Sequence, residues 1–190
     1  MLKEMNIAKA VFLDRDGTIN VERDYLFRCE EFEFISGVPE AIKKLNDAGF
    51  LVVVVTNQSG VARGYYSEAD VMLLHDFVEQ QLALYSARVD GFYFCPHHPD
   101  KGQPPYRKVC RCRKGAAGML LDAARDFQID LSQSYIVGDK LADVEAGLAV
   151  DSTPILVLTG HGEREKEKIP PSTQVCSNLS TAVDFICEVK

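Results

Sequence analysis

The chain lacks any long apolar run. Its most hydrophobic stretch, around Leu51 to Val55, falls far short of the roughly 18 residues a membrane helix needs, so no membrane span is expected. It also lacks a repeating period, because the 13 Gly and 8 Pro are scattered, which excludes collagen-like and solenoid architectures. Positive charge is short: 21 Lys and Arg against 28 Asp and Glu leave a formal net charge of -7. That balance argues against bulk attraction to nucleic acid or an anionic membrane, and an anionic substrate would need locally placed cations. Residues 1–10 carry Lys3, Glu4 and Lys9 where a secretory signal would have its apolar core, so a cytoplasmic protein is expected. What remains, 190 residues of which 46% are hydrophobic and 26% charged, suits one soluble domain with no linker, 1–190, and no self-pairing feature speaks against a monomer.

Apolar runs and helical patterns alternate along the chain. Ala10-Val11-Phe12-Leu13 reads as a buried strand that ends in Asp14-Arg15-Asp16-Gly17-Thr18. Phe32 and Phe34 alternate with glutamates as in a short strand or extended connection. Val38, Ala41, Ile42 and Leu45 lie at helical spacing, with Gly49 as terminator. The run 51–55 is a second buried strand that delivers Thr56-Asn57-Gln58-Ser59. Ser67 and Asp70 form a capping box for a helix to about Leu84. A strand at 91–94, a helix at 118–127, a strand at 135–137, a helix at 142–149, a strand at 155–158 and a final helix near 179–186 follow, with 161–171 read as a surface loop. Such alternation predicts an α/β fold of Rossmann-like type, with a mostly parallel sheet, helices on both faces and ligands at the carboxyl ends of the strands.

Asp14 and Asp16, so close together, repel one another unless a cation or proton intervenes, and Mg²⁺ with its preference for hard oxygen ligands is a natural partner. Gly138-Asp139-Lys140 with Asp143 offers further carboxylates to the same ion and a lysine to a bound anion. Thr56 and Asn57 supply a hydroxyl and an amide for phosphoryl oxygens, and Arg113 and Lys114 add positive charge. Taken one by one, each has a structural explanation as a cap, a turn or a surface charge. Their order along the chain carries the information.

In that order the sequence resembles the haloacid dehalogenase-like (HAD) superfamily of phosphohydrolases: Asp14-Arg15-Asp16-Gly17-Thr18, then Thr56-Asn57, then Lys114, then Gly138-Asp139-Lys140 with Asp143. The resemblance covers nearly the whole chain. It implies Asp14 as nucleophile through an aspartyl-phosphate, Asp16 as general acid and base, and Mg²⁺ held by Asp14, the backbone carbonyl of Asp16 and Asp139. It further implies that Thr56 and Lys114 stabilise the transferring phosphoryl group, and that Lys140 supports the substrate or the nucleophile.

Cys95-Pro96-His97-His98-Pro99 and Cys110-Arg111-Cys112 form a second constellation in a Pro-rich loop, about 95–113, that has few apolar groups to bury. Three thiolates and one imidazole suit a tetrahedral, structural Zn²⁺ site that replaces the missing core, since Cys-x-His and Cys-x-Cys recur in one loop; a free-thiol loop or a disulfide between two of the Cys is the alternative. Related phosphatases use the first His, which implies Cys95, His97, Cys110 and Cys112 as the ligands. Cys29, Cys176 and Cys187 are isolated and read as ordinary buried thiols.

The zinc loop, and the lack of a large cap insertion, make the chain similar to the branch of the superfamily that dephosphorylates a sugar bisphosphate, a heptose bound for lipopolysaccharide or other glycans. By the same resemblance, Glu22, Arg23, Asp24 and Tyr25, together with Thr56, Asn57, Gln58 and Ser59, contact the substrate. Arg113 is the best candidate for the distal phosphate, and Arg63 a weaker one. Histidinol-phosphate phosphatases share the zinc loop and are the enzymatic alternative. A phospho-acceptor signalling domain is the non-enzymatic one, but it would gain nothing from an acid/base such as Asp16; a zinc-dependent binding module would not need Asp14. One departure stands out: Gly115-Ala116-Ala117 replaces the usual Pro-containing segment after Lys114, which predicts a looser presentation of that lysine.

Overall fold

The computed structural model describes residues 7–189. The charged positions Lys3 and Glu4 of the N-terminal stretch lie outside the described residues. Six strands, β1 (Ala10–Leu13), β2 (Leu51–Asn57), β3 (Gly91–Cys95), β4 (Tyr135–Gly138), β5 (Thr153–Val157) and β6 (Gln174–Cys176), form one sheet in the order β3-β2-β1-β4-β5-β6. Every pairing is parallel. The helices are α1 (Val38–Asp47), α2 (Gly60–Arg63), α3 (Glu68–Ala83), α4 (Gly118–Phe127), α5 (Leu141–Leu148), α6 (Gly162–Glu165) and α7 (Leu179–Glu188). Among the described residues, no helix is long and apolar enough to cross a membrane.

The period of two along each strand divides the core between the two faces of the sheet. Val11, Leu13, Val52, Val54, Val137, Ile155 and Val157 pack with α1, α7 and the end of α3 on one face. Ala10, Phe12, Val53, Val55 and Ile136 meet Met119, Leu120 and Ala123 of α4 and Ala146 of α5 on the other. All four residues of β1 are fully buried, which explains why its sequence reads as a continuous apolar run rather than an alternation. At the carboxyl end, the Asp14 N–H continues the ladder to Val137 O at 2.9 Å, so the residues just past β1 and β4 are held side by side.

Phe32 and Phe34 take the extended-connection alternative: a 3₁₀ turn at Cys29–Glu31 precedes them, Phe34 makes an isolated bridge with Asn20, and the two rings lie on one side of the chain, edge to face. Two local expectations need correction. The stretch 161–171 is not all loop: α6 opens it, and β6 follows it as an edge strand too short and too polar to stand out in the sequence. Cys29, Cys176 and Cys187 are half-buried rather than buried.

Candidate active site at the strand carboxyl ends

Asp14 sits at the floor with 4% of its surface exposed. Its Oδ1 accepts the Arg15 N–H at 2.7 Å and lies 2.6 Å from Lys114 Nζ. Oδ2 has no partner among the described residues. Lys114 Nζ also lies 2.6 Å from Asp143 Oδ1, so one ammonium serves two carboxylates. Burial alone would lower the pKa of Lys114, but Asp14 and Asp143 outweigh it and raise it. The other side of that balance is that Asp143, desolvated and only partly compensated by Lys114, is pushed up to about 7.

Asp139, fully buried after β4, is pushed up to about 6 by burial and by the charge of Asp14. Carboxylate oxygens of Asp14, Asp139 and Asp143 come within 4.8 Å of one another, and Asp139 Oδ1 has no hydrogen-bond partner. Gly17 and Gly160 let Asp139 in. Both have positive φ, +84° and +57°, and a Cβ on either would run into Asp139 Oδ2. Lys140 Nζ lies 3.2 Å from Glu22 Oε2 and 3.7 Å from Asp139 Oδ1. Its desolvation is outweighed by Asp14, Asp139 and Glu22, which raise its pKa.

Asp16 faces the cavity from one side. Arg15, itself fully buried, donates from Nη2 to both Asp16 oxygens at 3.0 Å; Asn20 Nδ2 and Gln58 Nε2 donate at 3.1 and 2.8 Å. Burial pushes this carboxyl up, yet Arg15 and these donors win and hold it below the usual carboxylate range. Gln58 Nε2 also reaches Thr56 Oγ1 at 2.9 Å while Tyr66 OH donates to Gln58 Oε1 at 2.7 Å, so one amide ties Asp16 to Thr56.

A cavity of about 300 Å³ opens above this floor, lined among others by Asp16, Glu22, Asp24, Tyr25, Asn57, Gln58, Ser59, Arg113, Lys114 and Lys140. Asp14, Thr56 and Asp143 line a small recess beneath it. Arg23 is turned elsewhere: it pairs with Glu33 at 2.7 Å and borders an adjoining cleft with Arg164. Arg63 does not line the cavity; its guanidinium lies over the Tyr25 ring at 5.5 Å. Asn57 lines it, but its amide also grips the Lys114 backbone, with Oδ1 accepting the Lys114 N–H at 2.9 Å. Gly115 N–H donates to Ala142 O at 3.0 Å and Ala116 N–H to Arg113 O at 2.9 Å, so the segment lacking prolines is anchored by its own backbone.

Cys95, His97, Cys110 and Cys112 converge. The Sγ atoms stand 3.2 to 3.5 Å apart, too far for a disulfide, and His97 Nδ1 is 3.3 Å from Cys112 Sγ. His98 points into its own turn, its Nδ1 accepting the N–H groups of Asp100 and Lys101. Arg113 Nη1 donates to His97 O at 3.1 Å, which couples the cluster to the cavity rim.

One participant, His161, and the roles of Arg15 and Asp143 were not legible in the sequence. His161 lines the cavity, and its backbone N–H donates to Asp139 Oδ2 at 2.7 Å; it sits 22 residues beyond Asp139 in a stretch without a motif. Arg15 reads as a spacer between two aspartates. Asp143 reads as a further metal ligand but pairs with Lys114; the three-residue step from Lys140 to Asp143, an N-terminal helix-cap pattern, was the available signal.

A parallel sheet with an aspartate pair past its first strand, a lysine-bridged carboxylate floor and a hydroxyl at the second strand's end defines a HAD-like hydrolase. The family model described as HAD-hyrolase-like matches residues 111–182. The chain is 48% identical, over 80% of its length and 81% of the relative's, to the D-glycero-beta-D-manno-heptose-1,7-bisphosphate 7-phosphatase of Photorhabdus laumondii. It is 49% identical to the enzyme of that name from Escherichia coli K12, over 80% of each chain. The crystal structure of a D,D-heptose 1,7-bisphosphate phosphatase from B. bronchiseptica, complexed with magnesium and phosphate, superposes with a TM-score of 0.86 at 35% identity, covering 96% of this chain and 99% of that one. The chain belongs to the heptose-1,7-bisphosphate 7-phosphatase family of HAD-like hydrolases.

Proposed function

We propose that the protein removes the 7-phosphate of D-glycero-beta-D-manno-heptose 1,7-bisphosphate, supplying a heptose 1-phosphate for activated heptose. The observation that carries this reading is the free Oδ2 of Asp14, held by Lys114 beneath a cavity whose rim bears Arg113 and Lys140. Asp14 attacks phosphorus, the bond from phosphorus to the sugar oxygen breaks, and an aspartyl-phosphate forms. Lys114 orients Asp14, and with Thr56 it receives the growing charge on the phosphoryl oxygens. Asp16 hands a proton to the departing sugar oxygen, then takes one from the water that hydrolyses the aspartyl-phosphate and releases inorganic phosphate. The pair with Arg15 suits Asp16 to the second task; the first requires the carboxyl to leave Arg15 and pick up a proton.

The carboxylates of Asp14 and Asp139 and the carbonyl of Asp16 would hold Mg²⁺, and the buried Asp139 Oδ1, which has no hydrogen-bond partner, fits that role. When bound, Mg²⁺ offsets the repulsion between phosphate and carboxylate. Cys95, His97, Cys110 and Cys112 would hold Zn²⁺ and thereby fix Arg113, the group for the distal phosphate. The test is phosphate release from heptose 1,7-bisphosphate and from histidinol phosphate, each with Mg²⁺ and with Mg²⁺ withheld. Mg²⁺-dependent preference for the bisphosphate is expected; preference for histidinol phosphate would overturn the substrate, and hydrolysis of neither would overturn the reading.

A further inference from the structure

A third group of metal-ligating side chains stands beside the carboxylate floor. Glu22 comes from the loop after β1, Asp139 from the end of β4 and His161 from the turn before α6, and their donor atoms lie within 4.8 Å of one another. His161 Nδ1 is 3.3 Å from Asp139 Oδ2 and 3.4 Å from Glu22 Oε2. The contact to Asp139 is a long hydrogen bond and the one to Glu22 is longer still, and one ring nitrogen cannot direct a single proton at two acceptors. The two separations match the edge of a tetrahedron, about 3.4 Å, for ligands at about 2.1 Å from an ion. The cysteine cluster supplies an internal reference, with neighbouring donor atoms 3.2 to 3.7 Å apart.

The donor set is one imidazole and two carboxylates, which suits Zn²⁺ or Co²⁺ better than the hard Mg²⁺. Asp139 is fully buried; its Oδ2 is the oxygen turned to His161 and also accepts that residue's backbone N–H at 2.7 Å, while its Oδ1 is the one assigned to Mg²⁺. His161 is 34% exposed at the cavity mouth, which gives an ion access. The competitor is Lys140, 3.2 Å from the same Glu22 oxygen. Charge decides when it yields. Glu22, Asp14, Asp139 and Asp143 face Lys114 and Lys140, an excess of two negative charges that one divalent ion neutralises. A bound phosphate adds negative charge, offers Lys140 another partner and makes room for a second cation.

We propose that Glu22, Asp139 and His161 form a second divalent-metal site of the Zn²⁺ class, next to the Mg²⁺ position and filled when phosphate occupies the cavity. Because Asp139 belongs to both groups, an ion there competes for a ligand of the first site, and Zn²⁺ in excess slows an enzyme saturated with Mg²⁺.

The test uses full-length protein whose cysteine cluster is loaded with Zn²⁺, in excess Mg²⁺ and low millimolar inorganic phosphate, titrated with Co²⁺. One bound Co²⁺ with visible ligand-field bands and no thiolate charge-transfer band is expected, with its affinity at least about 10-fold weaker in both His161→Ala and His161→Gln. The half-exposed position of His161 leaves the fold of both variants intact. No bound Co²⁺ beyond the cysteine cluster, or unchanged affinity in His161→Ala, would overturn the site. Restoration by Gln would also overturn it, since that marks a hydrogen-bonding role. Mg²⁺-dependent phosphate release measured on the same samples reports separately on the proposed function.

Discussion

The carboxylate floor and the cysteine loop adjoin one cavity and are built on opposite principles. Each floor residue, Asp14, Thr56 or Asp139, ends or follows a strand that is buried on both faces, so the backbone ladder and the core fix its position before any ligand arrives. The loop 95–113 has no such support. Apart from its cysteines it packs only Tyr106 against a buried cluster; a bridge between His98 and Arg107 and the Tyr106 bond to Glu68 tie it down, and four soft donors gather around a common point. The floor stores unbalanced charge in a rigid frame, while the loop gathers four possible metal donors in a frame with little core of its own. Arg113 and Lys114 lie where the two meet, one bonded to His97 and the other to Asp14.

The largest effect expected is on the floor. Asp14→Asn removes the nucleophile's charge without changing its size, so turnover should fall at least about 10⁴-fold while circular dichroism and thermal unfolding stay near those of the parent. Substantial phosphatase activity in this variant would rule out the aspartyl-phosphate route. Next comes the loop. Cys110→Ala should raise KM for the bisphosphate about 10-fold or more through Arg113, while the affinity for Mg²⁺ changes less than about twofold. Equal losses on both sides would mean that the two regions are one cooperative unit.

The smallest effect separates the regions by pH. Asp139 and Asp143, raised to about 6 and about 7, keep protons that the unfolded chain gives up near 4. Without Mg²⁺, the floor's contribution to stability is therefore present below about pH 4 and is lost as pH rises to about 7. Mg²⁺ needs the ionised carboxylates, so the rise in Tm on adding Mg²⁺, with zinc retained throughout, should grow from pH 5 to 7.5. A rise in Tm that stays flat over that range would contradict the charge imbalance read here.

Strong, contiguous signals were legible in the sequence. Asp14-Arg15-Asp16-Gly17-Thr18 after an apolar run, the uninterrupted run 51–55, the Ser67 and Asp70 cap and the Cys-x-His with Cys-x-Cys pairing each occupy a few adjacent residues whose local chemistry points one way. The helix at 118–127 falls where its periodicity puts it. β6, with three half-buried residues at the sheet edge, carries no such pattern, because an edge strand needs little apolar surface. Asn57 was legible as a polar residue after a strand; that it also clasps the Lys114 backbone depends on a contact across 57 positions.

The sequence alone determined which chemical groups the protein carries and the order in which strands deliver them, because hydrophobic period and short motifs are local properties of the chain. Only the tertiary structure decided the partners: that Lys114 is shared by Asp14 and Asp143, that Arg15 keeps Asp16 ionised, and that His161 faces Asp139 and Glu22. Those pairings join residues as far apart as Glu22 and His161, and their energies depend on distance and burial, which exist only once the sheet has brought the strand ends together.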